Sequence, residues 1–272
     1  MDNHYLAGSD RNHPPTTAVV LAGGFGTRLR TVLTNQPKVL APVAGRPFLD
    51  FLLDYLAGQA IRKVILSIGY LADQVRDYAA TGQRWGLEIS YAQEETPLGT
   101  AGGIKLASQG LERPFFAFNG DTLFQVELAE LWQCFRRLGT EAAISLRKVP
   151  AGSQEQTVRG AVRLVPGEGR CRKIVDFMEK PIGENQAKPL QGEEADAWTN
   201  GGIYVLTPQA LGGVPLDRMA SIEREVFPAL AASGRLAGCQ QNGYFIDIGT
   251  PESLAAFEQD VYKGQYHVGK FH

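Results

Sequence analysis

A glycine-rich turn behind a short apolar strand constrains this chain most. The segment Thr16 to Ala22 is apolar and β-branched, which predicts a buried strand, and it leads directly into the turn Gly23 to Gly26. Glycines let backbone N–H groups approach a ligand without a Cβ in the way, and a run of such groups binds anions. Arg28 and Lys38 follow, and both cations suit phosphate oxygens. The stretch therefore predicts a polyphosphate site.

Two common phosphate-binding loops do not match this turn. A Walker A loop ends in a lysine followed by Ser or Thr, and no such lysine stands here. The dinucleotide fingerprint needs three glycines, and Leu29 occupies the place of the third, behind Gly24 and Gly26. A plain glycine turn with a surface arginine is the alternative, but the presence of both Arg28 and Lys38 behind the turn favours a phosphate site.

The two segments Leu21 to Leu29 and Pro37 to Val43 resemble the signature of the sugar-1-phosphate nucleotidyltransferases. Members of that family often have a proline after the arginine-leucine pair, where this chain has Arg30, Thr31 and Val32. The segment Ala44 to Leu49 resembles the branch that acts on D-glycero-D-manno-heptose 1-phosphate. The resemblance implies a Rossmann-like, three-layer α/β/α fold of the nucleotide-diphospho-sugar transferase type.

The order of predicted elements agrees with an α/β fold. Strands and helices alternate from residue 17 to about residue 141, which predicts βαβ units and a mixed, mostly parallel sheet. From about residue 142 predicted strands follow one another without long helices, which indicates a small antiparallel substrate lobe. We therefore expect one domain over 17–272, with a nucleotide-binding half (17–141) and a sugar-phosphate-binding half (142–272).

Composition excludes several classes of function. Of 272 residues, 44% are hydrophobic and 21% charged, as in ordinary globular proteins. A net charge of −2 argues against nucleic-acid or membrane-surface partners, and no apolar run approaches the roughly 18 residues of a membrane span. The polar segment 1–16 has no apolar signal core and is expected to be a disordered tail. These features predict a cytoplasmic protein and leave homo-oligomer formation open.

The three cysteines carry no recognisable spacing. Cys134, Cys171 and Cys239 are far apart in sequence and none belongs to a C-x-x-C pair. The sparse, odd set argues against a disulfide framework or a zinc site and suits a reducing compartment. We expect each of them to be a small buried or half-buried hydrophobe.

Two aspartates are the candidate metal ligands. Asp121 closes Asn119-Gly120-Asp121 behind the apolar strand Phe115 to Phe118, where a carboxylate can hold Mg²⁺ beyond the sheet. The alternative is an ordinary Asn-Gly-Asp turn. Asp247 is flanked by apolar residues and needs a partner, either a metal or a helix cap near Thr250. The resemblance implies that the two acids bind the metal jointly.

Further site residues are implied by the resemblance, each with a structural alternative. Lys180 of Glu179-Lys180-Pro181 is implied to hold the sugar phosphate, although a solvated charged pair before a proline is the alternative. Asn200-Gly201 resembles the sugar-contact motif or else marks a β-bulge. Thr100 lies along the nucleobase or else caps a helix. The nucleotide-binding set is Leu21, Ala22, Gly23, Gly24, Gly26, Thr27, Gln93, Gly99 and Thr100, and the sugar-phosphate set is Gly120, Glu179, Lys180, Asn200 and Gly201.

The implied reaction is nucleotidyl transfer from an NTP to a sugar 1-phosphate. All four histidines lie near the termini, so a Ser-His-Asp or Cys-His arrangement has no well-placed base. Arg28, Lys38 and Lys180 would hold the phosphates, and Asp121 and Asp247 the Mg²⁺. GTP with heptose 1-phosphate, for surface polysaccharide synthesis, is favoured. The alternatives are mannose or another hexose 1-phosphate, another NTP, or a non-catalytic nucleotide-binding regulator. Glu94 and Glu95 are expected to be solvated surface charges.

Overall fold

A computed structural model describes residues 13–29, 32–149, 161–179 and 197–266. Of the expected tail, residues 1–12 lie outside these ranges, while the carbonyl of Thr16 accepts hydrogen bonds from Arg62 and Lys63 at 2.8 and 3.1 Å. The helices are α1 (Phe48–Gly58), α2 (Ala72–Ala79), α3 (Gly99–Ala107), α4 (Leu128–Leu138), α5 (Phe227–Ala232) and α6 (Pro251–Tyr262). The strands are β1 (Thr17–Leu21), β2 (Pro42–Val43), β3 (Arg46–Pro47), β4 (Lys63–Ile68), β5 (Glu88–Gln93), β6 (Phe115–Asn119), β7 (Thr122–Phe124), β8 (Ala142–Val149), β9 (Ala161–Leu164), β10 (Cys171–Met178), β11 (Ala197–Leu206), β12 (Leu236–Gln241) and β13 (Phe245–Asp247).

One mixed sheet organises the described residues, in the order β5-β4-β1-β6-β11-β8-β12-β10-β9. The first four strands are parallel, as their alternation with helices predicts. In the second half, β11 is antiparallel to β6 and β8, β12 is parallel to β8, and β10 is antiparallel to β12 and β9. The predicted mixed α/β sheet is confirmed, and its parallel part lies within residues 17–141, the half predicted to bind the nucleotide.

Helices cover both faces of this sheet. Side chains alternate along a strand, so in β1 Ala18 and Val20 enter one core while Val19 enters the other. The first core includes buried residues of α1, α2, α4 and α6, and the second includes those of α3 and α5. This is the predicted three-layer α/β/α arrangement. Within the described ranges, no helix combines the length and apolar character that crossing a membrane requires.

The strands predicted for the antiparallel lobe are present as β8, β9 and β10, and they extend the main sheet. Two elements that pack with these strands were not predicted. They are α4, which covers one face of this part of the sheet, and β12, which lies between β8 and β10. The burial pattern of α4 is helical, since Leu128, Leu131, Trp132 and Phe135 line one face that packs on β8, β10 and β12. β12 lacks β-branched residues, and a Cβ at its Gly238 would lie 2.5 Å from Leu146. Close packing, rather than the β propensity of its residues, therefore accounts for this strand.

Candidate active site

A cavity of about 440 Å³ opens at the carboxyl ends of β1, β4, β5 and β6. Open parallel sheets bind ligands at this edge, and the volume is typical of a small-molecule site. Phe25 and Tyr70 line the cavity with their rings 5.4 Å apart, and Met219 lines it with 63% of its surface exposed. The predicted site residues in the lining are Leu21, Gly23, Gly24, Lys38, Gly99, Thr100, Gly120 and Asp121.

The glycine turn runs close against the backbone behind β4. A Cβ on Gly23 would lie 2.9 Å from the Gly69 nitrogen, and nothing lies within 4 Å of one on Gly24, which lines the cavity. Gly26 adopts a φ of +55°, a conformation that side chains disfavour. Its carbonyl accepts from Leu29 at 2.9 Å as the turn enters the 3₁₀ helix Thr27–Leu29. Ala22, Gly26 and Thr27 therefore shape the turn without lining the cavity.

Lys38 lies between the two predicted metal ligands. It begins the 3₁₀ helix Lys38–Leu40, and its ammonium donates to Oδ2 of Asp121 and lies 3.9 Å from Oδ1 of Asp247. The two aspartates are 126 residues apart in sequence, but β7 and β13 pair so that Asp247 is opposite Thr122. The N–H of Ile248 also donates to the Asp121 carbonyl at 2.9 Å. The strand register thus brings the two carboxylates to one point.

Arg28 reaches this cluster from the glycine turn. A Cβ built on Gly249 would lie 2.9 Å from Nη2 of Arg28 and 2.8 Å from Oδ1 of Asp247, so both side chains converge over Gly249. A side chain at Gly249 would occupy the space that they share. The four groups, two cations and two anions, therefore meet beside the cavity, and glycine at 249 leaves room for Arg28 and Asp247 within this cluster.

The surroundings of the Asp247 carboxylate act on its pKa in both directions. Desolvation in the cleft, and then the neighbouring Asp121 carboxylate, raise the pKa of Asp247. Lys38, the Gly249 N–H at 2.6 Å and Arg28 act in the opposite direction. The helix-cap alternative for Asp247 is not what the structure has, since Thr250 caps α6 by accepting from Ser253. A carboxylate such as Asp247, whose pKa is raised by burial and by a like charge, is typical of functional sites.

The donor set in this cluster fits a hard divalent cation. Asp121 and Asp247 offer carboxylate oxygens, the ligands that Mg²⁺ prefers, and their side chains are 34% and 47% exposed. The ammonium of Lys38 already lies within reach of both carboxylates, so the position between them suits a positive charge. The donor set of these two partly exposed aspartates therefore suits Mg²⁺.

At the end of β5, the neighbouring residues Gln93 and Glu94 face different surroundings. Gln93 accepts from Arg76 at 3.0 Å and is absent from the cavity lining, whereas Glu94 and Glu95 are part of it. Successive side chains along a strand point to opposite faces, so Gln93 turns toward α2 and Glu94 toward α3. Glu94 accepts from Ser67 at 3.0 Å and from the Leu98 N–H at 2.9 Å. The expectation of solvated surface charge was therefore wrong for Glu94, whereas Glu95 is exposed as expected and also lines the cavity.

Thr100, which lines the cavity, connects its wall to the second half of the chain. Its hydroxyl donates to Glu223 at 2.8 Å and accepts from the Ile222 N–H at 2.9 Å. The residue that caps α3 is Leu98, without a side-chain hydrogen bond, so Thr100 is not the helix cap of the alternative interpretation. Gly99, in the first turn of α3, has a φ of +73°. The position of this cavity wall therefore depends on contacts with the π-helix Ile222–Val226.

The predicted sugar-contact motif lies at an irregularity of β11. The register between β11 and β8 shifts between Asn200 and Tyr204, which is the β-bulge of the alternative interpretation. The side-chain N–H of Asn200 donates to the Tyr204 hydroxyl at 2.9 Å, and its side-chain carbonyl accepts from the Gly202 N–H at 2.9 Å. Burial raises the pKa of Tyr204, whose hydroxyl lies 3.5 Å from the oxygen of Asn119 in the cavity lining. The bulge is thus linked by hydrogen bonds to the cavity floor.

The remaining predicted residues are distributed as follows. Gly201 packs so closely that a Cβ would lie 2.6 Å from the Phe124 ring. Glu179 is half-buried directly behind β10, and Lys180 lies outside the described residues. Asn119, Glu94 and Glu95 are cavity residues that sequence reasoning did not place in the site. Their signal was position, because Asn119 ends β6 and Glu94 follows β5, at the carboxyl ends of parallel strands.

The segment that resembles the heptose branch lies away from this cavity. Arg46 donates to Asp50 at 3.3 Å and to Asp54 at 2.6 Å, and its guanidinium lies 4.7 Å from the Phe51 ring. The N–H of Ala44 donates to Glu258 of α6 at 3.0 Å. In the described residues, these contacts tie β2, β3, α1 and α6 together and give the segment a structural role.

Comparisons with known proteins agree with this geometry. The chain is 36% identical over 250 residues to the mannose-1-phosphate guanylyltransferase of Mycobacterium tuberculosis, which covers 91% of this chain. It is 33% identical to the mannose-1-phosphate guanylyltransferase catalytic subunit beta of Danio rerio, with 87% of this chain covered. The chain spans 65% and 62% of the lengths of these two relatives, respectively.

Solved structures share the fold. HddC from Yersinia pseudotuberculosis is similar with a TM-score of 0.72 at 28% identity, over 90% of this chain and 99% of that one, and it has also been crystallised with GMP-PN. A putative glucose-1-phosphate thymidylyltransferase from Bacillus anthracis has a TM-score of 0.74 at 21% identity, over 93% and 97% of the two chains, which supports the fold alone. The family model described as nucleotidyl transferase matches residues 17–264. With the glycine turn, the paired aspartates and the doubly covered sheet all in place, this chain belongs to the nucleotidyl transferase family.

Proposed function

We propose that this protein transfers a nucleotidyl group from an NTP to a sugar 1-phosphate and releases pyrophosphate. The observation that carries the proposal is the convergence of Lys38, Asp121 and Asp247 beside a glycine-lined cavity, of which Lys38 and Asp121 form part of the wall. Two anionic reactants must approach each other in this reaction, and positioned opposite charges are the chief means of lowering such a barrier. The names of the relatives support the same chemistry.

In the proposed reaction, an oxygen of the sugar phosphate attacks the α-phosphorus of the NTP in line with the leaving pyrophosphate. The bond between the α-phosphorus and the bridging oxygen breaks, and Arg28 holds the pyrophosphate that leaves. Lys38 contacts the phosphates, and Lys180, from the segment behind Glu179, holds the attacking group. Mg²⁺ held by Asp121 and Asp247 would supply neutralising charge at the phosphates. The sugar phosphate is already ionised near neutral pH, so the proposed reaction needs no histidine to act as a base.

GTP is the proposed nucleotide. Two relatives are named guanylyltransferases, and HddC has been crystallised with GMP-PN. Glu94 and Glu95 in the cavity lining support the choice, because carboxylate oxygens accept hydrogen bonds and guanine presents adjacent N–H donors on its Watson–Crick edge. The proposed sugars are mannose 1-phosphate and D-glycero-D-manno-heptose 1-phosphate, which share the manno ring configuration.

A pyrophosphate-release panel tests the proposal. The purified protein is incubated with Mg²⁺, each of GTP, UTP, CTP, ATP and dTTP, and either mannose or heptose 1-phosphate. We expect release with GTP and one or both of these sugars. Release with another nucleotide would keep the reaction and discard the base assignment. A folded protein that binds NTP but releases no pyrophosphate with any pair would favour another sugar 1-phosphate first and a non-catalytic regulator second.

A further inference from the structure

The three cysteines, scattered in sequence, form one cluster in the structure. Cys134 lies in α4, Cys171 begins β10 and Cys239 lies in β12, and their sulfur atoms all lie within 4.8 Å of one another. Cys134 and Cys171 are joined as a disulfide with a Cα–Cα distance of 5.1 Å, which is ordinary for such a bond. The expectation that the cysteines are unpaired small hydrophobes was therefore wrong for these two.

Cys239 is the third member and keeps a free thiol. It is buried beside the disulfide, and burial raises the pKa of its thiol to about 12. It pairs with Cys171 across the antiparallel strands β10 and β12. The neighbouring N–H of Gln240 donates to the Arg170 carbonyl at 2.8 Å, so Cys171 and Cys239 form the next, non-hydrogen-bonded pair, in which opposite side chains come closest.

Access to the cluster is unequal. Cys134 and Cys239 are 0% and 1% exposed, whereas Cys171 is only partly buried at the edge of β10. Next to it, Arg170 donates to both oxygens of Glu130 at 3.1 and 3.0 Å, and Glu130 lies one helical turn before Cys134. An exposed ion pair thus joins α4 to the residue just before β10, next to the disulfide that joins α4 to β10 itself. Cys171 is the thiol that a reagent in solution reaches first.

We propose that Cys134, Cys171 and Cys239 form a thiol–disulfide exchange site that reacts with small-molecule disulfides such as oxidised glutathione. In the first step the Cys171 thiolate attacks one sulfur of the small disulfide, forms a mixed disulfide and releases one small thiolate. The Cys134 thiolate then attacks the Cys171 sulfur and releases the second small thiolate. The two protons of the protein thiols pass to the two thiolates released, and two electrons pass to the small disulfide.

Cys239 gives the site a second disulfide partner. Its thiolate, once formed, can attack the Cys171 sulfur, displace the Cys134 thiolate and move the disulfide from α4 to β12. The chain contains three cysteines, all in this cluster, so every thiol titrated reports on it. The exchange chemistry is independent of nucleotidyl transfer, and its test does not use enzyme turnover.

The test equilibrates the full-length protein with glutathione buffers of decreasing reduced-to-oxidised ratio, followed by acid quenching, alkylation and peptide mass spectrometry. We expect the wild type to lose two of its three free thiols, with a Cys134–Cys171 cross-linked peptide and Cys239 alkylated only after denaturation. Three free thiols at every ratio would overturn the proposal. One equivalent of zinc in the reduced protein, with all three thiols protected, would instead make the cluster a soft-metal site.

Two variants assign the roles within the cluster. Cys134→Ser should move the cross-link to Cys171–Cys239, and a lasting glutathione adduct on Cys171 would contradict the role of Cys239. Cys171→Ser should keep both remaining thiols free, because each is buried, and a Cys134–Cys239 cross-link would contradict the entry role of Cys171. Far-ultraviolet circular dichroism before oxidation verifies that each variant is folded.

Discussion

Replacing Gly120 with alanine tests how closely the two strands that carry the site must approach. Gly120 follows β6, and its N–H donates to the Leu21 carbonyl at 3.1 Å at the end of β1. A Cβ at this position would overlap that same carbonyl oxygen, well inside the 3.0 Å that real Cβ atoms keep from other heavy atoms. Because the obstacle is backbone, the two strand ends must separate by about 1 Å.

The expected loss in the free energy of unfolding of Gly120→Ala is the sum of two contributions. Losing the hydrogen bond to Leu21 costs about 1 kcal/mol. Overpacking two buried strands costs about 1–3 kcal/mol more. The sum, about 2–4 kcal/mol, corresponds to a fall in Tm of roughly 5–15 °C for a chain of this size. Asp121 is the next residue, and a displacement of about 1 Å at a catalytic group costs about 100-fold in rate.

Thermal unfolding and pyrophosphate release, measured side by side, check both numbers. The control is Gly213→Ala, an exposed glycine where nothing lies within 4 Å of a new Cβ, and we expect its free energy of unfolding to stay within about 0.5 kcal/mol of the wild type. A Gly120→Ala protein with wild-type Tm and rate would refute the close approach of β1 and β6. A lowered Tm with an unchanged rate would refute only the link to Asp121.

Three further predictions use the same assays. Asp121→Asn removes one of two charges facing Lys38 and should reduce turnover at least 100-fold in pyrophosphate release, with the far-ultraviolet spectrum unchanged; near-normal turnover would exclude a metal role. Arg28→Ala, which removes a cation beside Asp247, should cost about 10²–10³ in rate, the size typical of one lost transition-state donor, and a change confined to KM would instead indicate ground-state binding. Reducing the Cys134–Cys171 disulfide, which spans 37 residues, should lower stability by about 2–4 kcal/mol; identical melting curves with and without a phosphine reductant would contradict that value.

Local patterns in the sequence were enough for most elements of the first half. The strands β1, β4, β5 and β6 and the helices α1, α2 and α3 were predicted, because their apolar spacing and flanking turn residues are local signals. The three-layer order followed from their alternation. The chemistry of the glycine turn was also local, since residues 21–29 carry both the backbone donors and the cation.

The second half shows where such reasoning stops. β12 contains Gly238 and two glutamines and has no strand signal of its own, yet it is buried between β8 and β10. Its assignment depends on close packing that involves residues nearly a hundred positions away, such as Leu146. The order of strands in the sheet likewise depends on non-local pairing, which no window of the sequence contains.

Within the site, sequence reasoning named the residue types correctly and misplaced some of their surroundings. Asp121 and Asp247 were proposed as partners by resemblance, and the pairing of β7 with β13 is the physical reason that they meet. Gln93 was predicted to bind the nucleotide, but its neighbour Glu94 lines the cavity instead. The two differ because neighbouring side chains of a strand face opposite layers. Neither fact is visible before the strands are paired.

The sequence by itself determined the chemical inventory: a backbone-donor turn with Arg28 and Lys38, carboxylates behind two strands, and no central histidine. These are properties of residue type and of short spacing. Only the tertiary structure decided which groups meet, with Lys38 between two aspartates and three distant cysteines in one cluster. The physical reason is that side chains interact over a few ångströms, and strand register, not distance along the chain, brings them within that range.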